Sequence, residues 1–129
     1  MNFTESETLE LKKSTSELKE AVISICAILN KHGKGALYFG IADDGSVTGQ
    51  QIGKSTLKDI SKSVSDHLEP KIYPHIEIVK ISGKNCINVD FSGKDGLYSA
   101  FGRFYLRVGE EDKKLSVSEI RRLVEKLNN

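Results

Sequence analysis

The run GALYFGIA, residues 35–42, restricts the fold of this chain more than any other stretch. It is almost entirely apolar yet far shorter than the roughly 20 residues that span a bilayer, so it predicts a central strand that is buried on both faces. The next three residues, Asp-Asp-Gly at 43–45, are a hairpin signal that returns the chain through Val47. The centre of a sheet is therefore expected at residues 35–42.

Three helices are predicted from capping signals and from apolar residues at helical spacing. The first opens with a capping box at Ser14–Glu17, runs to about Lys31 and ends at Gly33, where glycine can adopt the left-handed cap conformation. A second helix is expected from Thr56 to Leu68, and a third opens with another capping box at Ser116–Glu119. The inward residues predicted for the last helix are Ile120, Leu123, Val124 and Leu127.

Alternation of apolar and polar residues predicts four further strands, at residues 8–12, 76–81, 86–91 and 103–108. Helices and strands are interspersed, but several neighbouring strands are joined by hairpins. We therefore predict an α+β fold in which a mixed, mostly antiparallel sheet packs with about three helices. Residues 1–129 are expected to form a single domain, which can also be a fragment of a larger regulator.

Charge and composition limit the function only loosely. The formal net charge is +1, from 19 basic and 18 acidic residues, so any nucleic-acid surface must be a local patch. The polar, acidic N-terminus does not resemble a signal peptide, and no membrane segment is expected. Cys26 and Cys86 are far apart among apolar neighbours, which predicts two reduced core residues in a cytoplasmic protein.

The segment Gly49–Ser55 resembles a nucleotide-binding loop of the Walker A type but is one residue short between its glycines. That motif needs a fixed length, because its successive backbone N–H groups surround the phosphates. ATP is therefore not expected as a cofactor.

The strand at residues 103–108 carries the clearest candidate for nucleic-acid contact. Its predicted buried face consists of Phe104, Leu106 and Val108. Its other face places two guanidinium groups around one aromatic ring, from Arg103, Tyr105 and Arg107. Arginine can grip a phosphate and the ring can stack on a base. Lys113 and Lys114, in the loop that follows, would extend this patch; the alternative is an ordinary exposed strand face.

Several carboxylates of the first 44 residues could converge on a divalent cation, since hard cations take oxygen ligands. Asp43 follows the central strand, and Glu10 lies on a strand that could neighbour it. Glu5 and Glu10 converge only if the chain bends between them, because an unbroken strand would place them on opposite sides. The alternative is that these groups are solvated.

Taken together, these residues resemble the Schlafen/AlbA-like family of DNA-binding domains, also labelled divergent AAA or RecG-helicase-like. The resemblance covers essentially the whole chain in order. The matching motifs are Glu5-x-x-x-x-Glu10-Leu11-Lys12, Ile25–Asn30, Leu37–Gly49, Pro70 and Tyr105–Gly109.

The resemblance implies a nucleic-acid-binding module of the kind attached to regulatory domains in prokaryotes. Some Schlafen relatives cleave RNA with three essential carboxylates, which correspond by position to Glu5, Glu10 and Asp43, and the family's basic motif residue corresponds to Lys12. Because those nucleases place two lobes around their substrate, the resemblance also implies a homodimer. The Schlafen zinc-binding cysteines are missing, so no structural zinc is expected.

The sequence thus leaves three hypotheses. The first is a DNA- or RNA-binding module of a transcriptional regulator or helicase-like protein. It would contact nucleic acid through Lys12 and through Arg103, Tyr105 and Arg107 of the strand at 103–108. The second is an endoribonuclease that uses Glu5, Glu10 and Asp43 to bind Mg²⁺ or Mn²⁺. The third is an oligomerisation module.

Overall fold

Helix α1 (Leu18–His32) is the longest element of the computed structural model, which describes residues 3–128. It follows a short 3₁₀ turn at Thr15–Glu17, where the Ser14 side chain accepts a hydrogen bond from the Ser16 N–H. It ends at Gly33, whose φ of 76° is the left-handed cap conformation that glycine adopts without steric cost. The predicted C-terminal end is confirmed, whereas the α-helix begins only at Leu18, and Glu17 accepts from the Lys13 N–H instead of completing a capping box with Ser14.

A four-stranded sheet forms the centre of the fold, in the order β1-β2-β5-β4. Strand β2 lies between a parallel partner, β1, and an antiparallel partner, β5, and β4 pairs antiparallel with β5. The strands are β1 (Leu9–Lys12), β2 (Lys34–Phe39), β3 (Leu68–Glu69), β4 (His75–Ile81), β5 (Lys84–Ser92), β6 (Ser99–Ala100), β7 (Tyr105–Val108) and β8 (Glu111–Lys114). The other two helices are α2 (Thr56–His67) and α3 (Val117–Leu127). The predicted α+β class, with three helices and a mixed, mostly antiparallel sheet, is confirmed.

Two apolar clusters cover the two faces of the sheet. The larger lies between the sheet and helices α1 and α2, and includes Ile25 and Phe39. The smaller, on the opposite face, is built around Leu11 and Ile41 with Phe3 packed against it. Residues 37, 39 and 41 are all buried, as the apolar run at 35–42 predicts.

The β7–β8 hairpin differs from the expected loop. Residues 111–114 form a strand that pairs antiparallel with β7, so Lys113 and Lys114 lie on a strand. The hairpin packs on α1: the Asn30 amide donates hydrogen bonds of 2.8 Å to the Tyr105 carbonyl and 2.9 Å to the Tyr98 carbonyl. The C-terminal part of the chain is thereby fixed beside the N-terminal helix.

Helix α3 is less buried than predicted. Its capping box at Ser116 and Glu119 is present, but Val124 and Leu127 keep 38% and 50% of their surface exposed. This helix lies at the rim of the β7–β8 hairpin, where Leu123 and Leu115 line one open cleft. None of the helices within residues 3–128 has the length and apolar character needed to cross a bilayer.

Candidate carboxylate cluster and nucleic-acid interface

The chain bends between Glu5 and Glu10, which is the condition for their convergence. The Ser6 N–H donates to the Leu9 carbonyl at 3.0 Å and closes a tight turn. Beyond it, the Leu11 N–H lies 3.1 Å from Glu5 Oε2 and 3.2 Å from Glu10 Oε2. Both carboxylates therefore meet at one backbone donor at the start of the sheet.

Glu10 is buried, although alternation along its strand predicts that a polar residue beside Leu11 faces solvent. Its Oε1 accepts a hydrogen bond from Arg107 Nη1 at 2.8 Å, and Ser24 Oγ lies 3.3 Å from the same oxygen. Lys12 Nζ lies 3.6 Å from its Oε2. A buried charge is tolerated when it is paired and hydrogen-bonded, so these contacts explain how β1 can bury a glutamate beside Leu11.

Arg107 is the centre of these contacts and has no exposed surface. We call the group the carboxylate cluster; its members are Glu5, Glu10, Lys12, Ser24, Arg107 and Asp112. Its Nη1 also donates to Asp112 Oδ1 at 2.6 Å, and the single Ser24 hydroxyl proton can be donated to Asp112, its shorter contact, or to Glu10. Its Nη2 donates to the Ser6 carbonyl at 2.8 Å and to the Leu9 carbonyl at 3.3 Å. One guanidinium group thus binds two carboxylates and holds both ends of the N-terminal turn.

This position corrects the prediction that Arg107 lies on an exposed face with Arg103 and Tyr105. The assigned faces of the strand are wrong at its end: Arg107 is buried, and Val108 is 47% exposed. The physical reason is the pair of carboxylates opposite the guanidinium group, which compensates the burial of its charge. Tyr105 is also not free, since it is half-buried and packs against the main core.

The two converging glutamates have opposite pKa shifts. Burial, a hydrogen bond to Glu10 and the charge of Glu10 raise the pKa of Glu5 to about 8. Burial alone would also raise the pKa of Glu10, but hydrogen bonds from Glu5 and Arg107 and the charge of Lys12 outweigh it and lower that pKa. At neutral pH Glu5 therefore keeps its proton, which suits a hydrogen bond to the ionised Glu10 carboxylate.

Asp43, the third predicted carboxylate, lies on the exposed turn after β2. It is near enough for its charge to raise the Glu5 pKa, but it does not complete a metal-ligand group. Within residues 3–128 no three His, Cys, Asp or Glu side chains are arranged to hold a metal ion. In this arrangement the three carboxylates do not fit a shared divalent cation, because Glu10 is engaged by Arg107 and Glu5 by Glu10.

The remaining predicted cations lie on another surface, the basic cleft. Arg103 and Lys114 line this open cleft of about 340 Å³, next to the first turn of α3. No carboxylate lines it, and neither side chain forms an ion pair among the residues that the structure describes. Lys113 is exposed on the same strand, whereas Lys12 belongs to the carboxylate cluster.

Two residues of the carboxylate cluster were not foreseen from sequence. Ser24 is a fully buried polar residue inside the apolar stripe of α1, and that interruption is a signal that could have identified it. Asp112 lies in a charged stretch, and nothing in its sequence neighbourhood distinguishes it from Glu110 or Glu111.

Solved structures with the same fold include two with low sequence identity. The DIP2311 protein from Corynebacterium diphtheriae is 13% identical with a TM-score of 0.69, and the match covers 84% of this chain but only 22% of that one. The N-terminal domain of a RecG-related protein from Nitrosomonas europaea is 20% identical with a TM-score of 0.53, over 89% of this chain and 87% of that one. At these identities the likeness shows the fold. No curated protein matches the chain in sequence.

The sequence matches a family model at residues 5–116, which include the N-terminal turn, the whole central sheet and the β7–β8 hairpin. The model is described as Schlafen, AlbA_2. The predicted resemblance is confirmed, and the chain belongs to the Schlafen AlbA_2 family.

Proposed function

We propose that this chain is a nucleic-acid-binding module that contacts phosphates through the basic cleft. The observation that carries the proposal is that Arg103 and Lys114 line the same open cleft, and that no carboxylate lines it. Unpaired guanidinium and ammonium groups on one surface suit a sugar-phosphate backbone, because each neutralised phosphate releases counterions. Membership of the family and the likeness to a domain of a RecG-related protein support the proposal.

Replacing both Arg103 and Lys114 with alanine should weaken binding to nucleic acid about tenfold or more at low salt. It should also reduce the slope of log affinity against log salt concentration by about two, since two phosphate contacts are lost. Fluorescence anisotropy with labelled single- and double-stranded DNA and RNA, at several salt concentrations, measures both quantities.

The matched control removes two other lysines. Lys54 and Lys80 are exposed and lie outside the cleft, so a Lys54→Ala, Lys80→Ala variant loses the same net charge with little effect on binding. Equal losses in both double variants would mean that net charge, not the cleft, governs binding. A wild-type chain that binds no nucleic acid at low salt would refute the proposal itself and favour the oligomerisation module.

The proposal includes a host protein of the transcription-regulator or helicase-like kind and a homodimer. Two copies would present two basic clefts to one nucleic acid. Sedimentation of the chain with and without a bound oligonucleotide measures whether one or two copies bind.

A second candidate function, metal-dependent RNA cleavage, is favoured by the convergence of Glu5 and Glu10 at the Leu11 N–H. A divalent cation would have to displace the proton that Glu5 holds and recruit Asp43 from its exposed turn. We derive no cleavage step, because the side chains as they lie do not form a ligand set.

The rate of RNA cleavage in the presence of Mn²⁺ tests this second candidate function. Two variants at adjacent aspartates are compared with the wild type. Asp43→Asn should reduce the rate at least about 100-fold if Asp43 binds the cation. Asp44→Asn is the control, because Asp44 accepts hydrogen bonds from Ser46 within the same turn and asparagine can keep them. The same rate in the wild type and in Asp43→Asn would indicate a contaminating nuclease.

A further inference from the structure

A tight turn after β6 places an aromatic residue where the backbone disfavours one. The Ala100 and Arg103 backbones exchange hydrogen bonds of 2.8 and 3.0 Å, and the two residues between them, Phe101 and Gly102, have φ angles of 53° and 75°. Turns with two positive φ angles are usually formed by Asn-Gly or Gly-Gly, since a side chain at the first position is strained.

A second turn of the chain shows the more usual solution. The β4–β5 hairpin has the same pattern of positive φ angles, 51° and 76°, but places a small polar residue, Ser82, before Gly83. A bulky aromatic residue at positive φ is retained where its side chain has a use that outweighs the strain. Part of the Phe101 ring packs against the main apolar cluster, so the part that stays exposed is what needs an explanation beyond turn formation and packing.

The ring of Phe101 is half-buried against the main apolar cluster and also forms a stack with His67 at the surface. The imidazole of His67 stacks on it with ring centroids 4.4 Å apart and planes inclined by 19°. Lys19 Nζ lies 5.4 Å from the centroid of the same ring. The Phe101 N–H donates to the His67 carbonyl at 2.9 Å, which fixes the two residues to each other. His67 and Lys19 are both exposed.

We propose that the stack of Phe101 and His67 binds an unpaired nucleobase, and that Lys19 and Arg103 bind the phosphates on either side of it. A base laid on this stack adds a third flat ring, and stacking of this kind tolerates any base. Lys19 can leave the Phe101 ring and bind a phosphate through rotation of its side chain alone, because cation–π contacts at exposed sites are weak. Arg103 follows the turn directly and also lines the basic cleft.

This inference rests on the proposed function and adds a substrate class to it: single-stranded nucleic acid. In a duplex both faces of every internal base are covered by neighbouring base pairs, so a protein ring reaches only base edges. A single strand can turn a base outward, and protein aromatic rings recognise such bases by stacking. The Arg103–Lys114 cleft alone would bind either form.

The test compares two substitutions at one backbone position. Phe101→Asn suits the turn but removes the ring, whereas Phe101→Tyr keeps the ring. Affinity is measured for three probes: a single-stranded oligodeoxythymidine of about ten nucleotides, an abasic strand of the same length, and a duplex of the same length. Circular dichroism and thermal unfolding establish that both variants are folded.

We expect the wild-type chain to prefer the base-bearing strand over the abasic strand by about tenfold, and Phe101→Asn to lose this preference. Phe101→Tyr should retain it, and the duplex should bind all three proteins within about twofold, since phosphate contacts are unchanged. Upfield shifts of the His67 ring protons on addition of the base-bearing strand should accompany binding.

A preference that persists in Phe101→Asn, or an equal loss of affinity for single strand and duplex, would overturn this inference while leaving the proposed function intact. Absence of binding to all three probes by the wild-type chain would overturn both. Loss of folding in Phe101→Asn moves the comparison to His67→Ala, which removes the second ring of the stack from an exposed position. That variant should lose the same preference.

Discussion

Replacing Arg107 with methionine should lower the free energy of unfolding by about 3–5 kcal/mol. The substitution keeps most of the side-chain volume but removes the guanidinium group that contacts Glu10 and Asp112. The buried Glu10 would keep only the longer contact to Lys12 at 3.6 Å, and the partly buried Asp112 would lose its ion pair. The turn at Ser6–Leu9 would also lose the donors of its carbonyl hydrogen bonds.

Urea unfolding followed by circular dichroism measures the loss. Arg103→Met is the matched control: it makes the same substitution at an exposed arginine and should change the free energy of unfolding by less than about 0.5 kcal/mol. Arg107→Lys should fall between them, because lysine keeps the charge but lacks the planar fork that reaches several acceptors at once.

A double variant separates the charge from the packing. If the loss in Arg107→Met comes from stranded carboxylates, adding Glu10→Gln should restore about 1 kcal/mol or more, because a neutral amide is less costly to bury unpaired. If the second substitution instead adds to the loss, the contribution of Arg107 comes from packing and the account of the cluster is wrong.

Local signals in the sequence explain why the helices could be predicted. Gly33 ends α1 and Ser116 begins α3 because the conformation of a glycine and the reach of a serine hydroxyl are decided within one turn of the chain. The apolar run at 35–42 is likewise sufficient to predict a buried strand, since few other positions could accommodate eight such residues.

The candidate site could be predicted only in part, because its partners are distant in sequence. The faces of β7 were misassigned because the burial of Arg107 depends on Glu10, 97 residues earlier, which no alternation within a four-residue strand can reveal. Glu5 and Glu10 converge because the chain bends between them, and Arg107 stabilises that bend through hydrogen bonds to the Ser6 and Leu9 carbonyls. How deeply α3 is buried depends on which other elements pack against it, and the amphipathic pattern of the helix alone does not show this.

Glu5→Gln should remove a fall in stability that the wild-type chain shows between about pH 4.5 and pH 8. The pKa of Glu5 is raised from 4.5 to about 8 by burial and by Glu10, so the native state binds a proton that the unfolded state releases. Stability then decreases as pH rises through this window and stops decreasing above it. Glutamine can donate to Glu10 and accept from the Leu11 N–H without titrating.

The size of the effect follows from one proton. The slope cannot exceed about 1.4 kcal/mol per pH unit, and because Glu5 is only partly buried and screened by solvent we expect about 0.5 kcal/mol per pH unit. The quantity to measure is the difference between wild type and Glu5→Gln in urea unfolding at a series of pH values, since groups common to both proteins cancel.

Glu111→Gln is the control for this comparison, because Glu111 is exposed on β8 and its side chain makes no hydrogen bond within residues 3–128. Its stability should follow that of the wild type at every pH. If Glu5→Gln does the same, Glu5 is already ionised at neutral pH, and two adjacent carboxylates would then both carry charge at the Leu11 N–H. That outcome would make the pair a stronger attractor for a divalent cation, so the pH series also bears on the second candidate function.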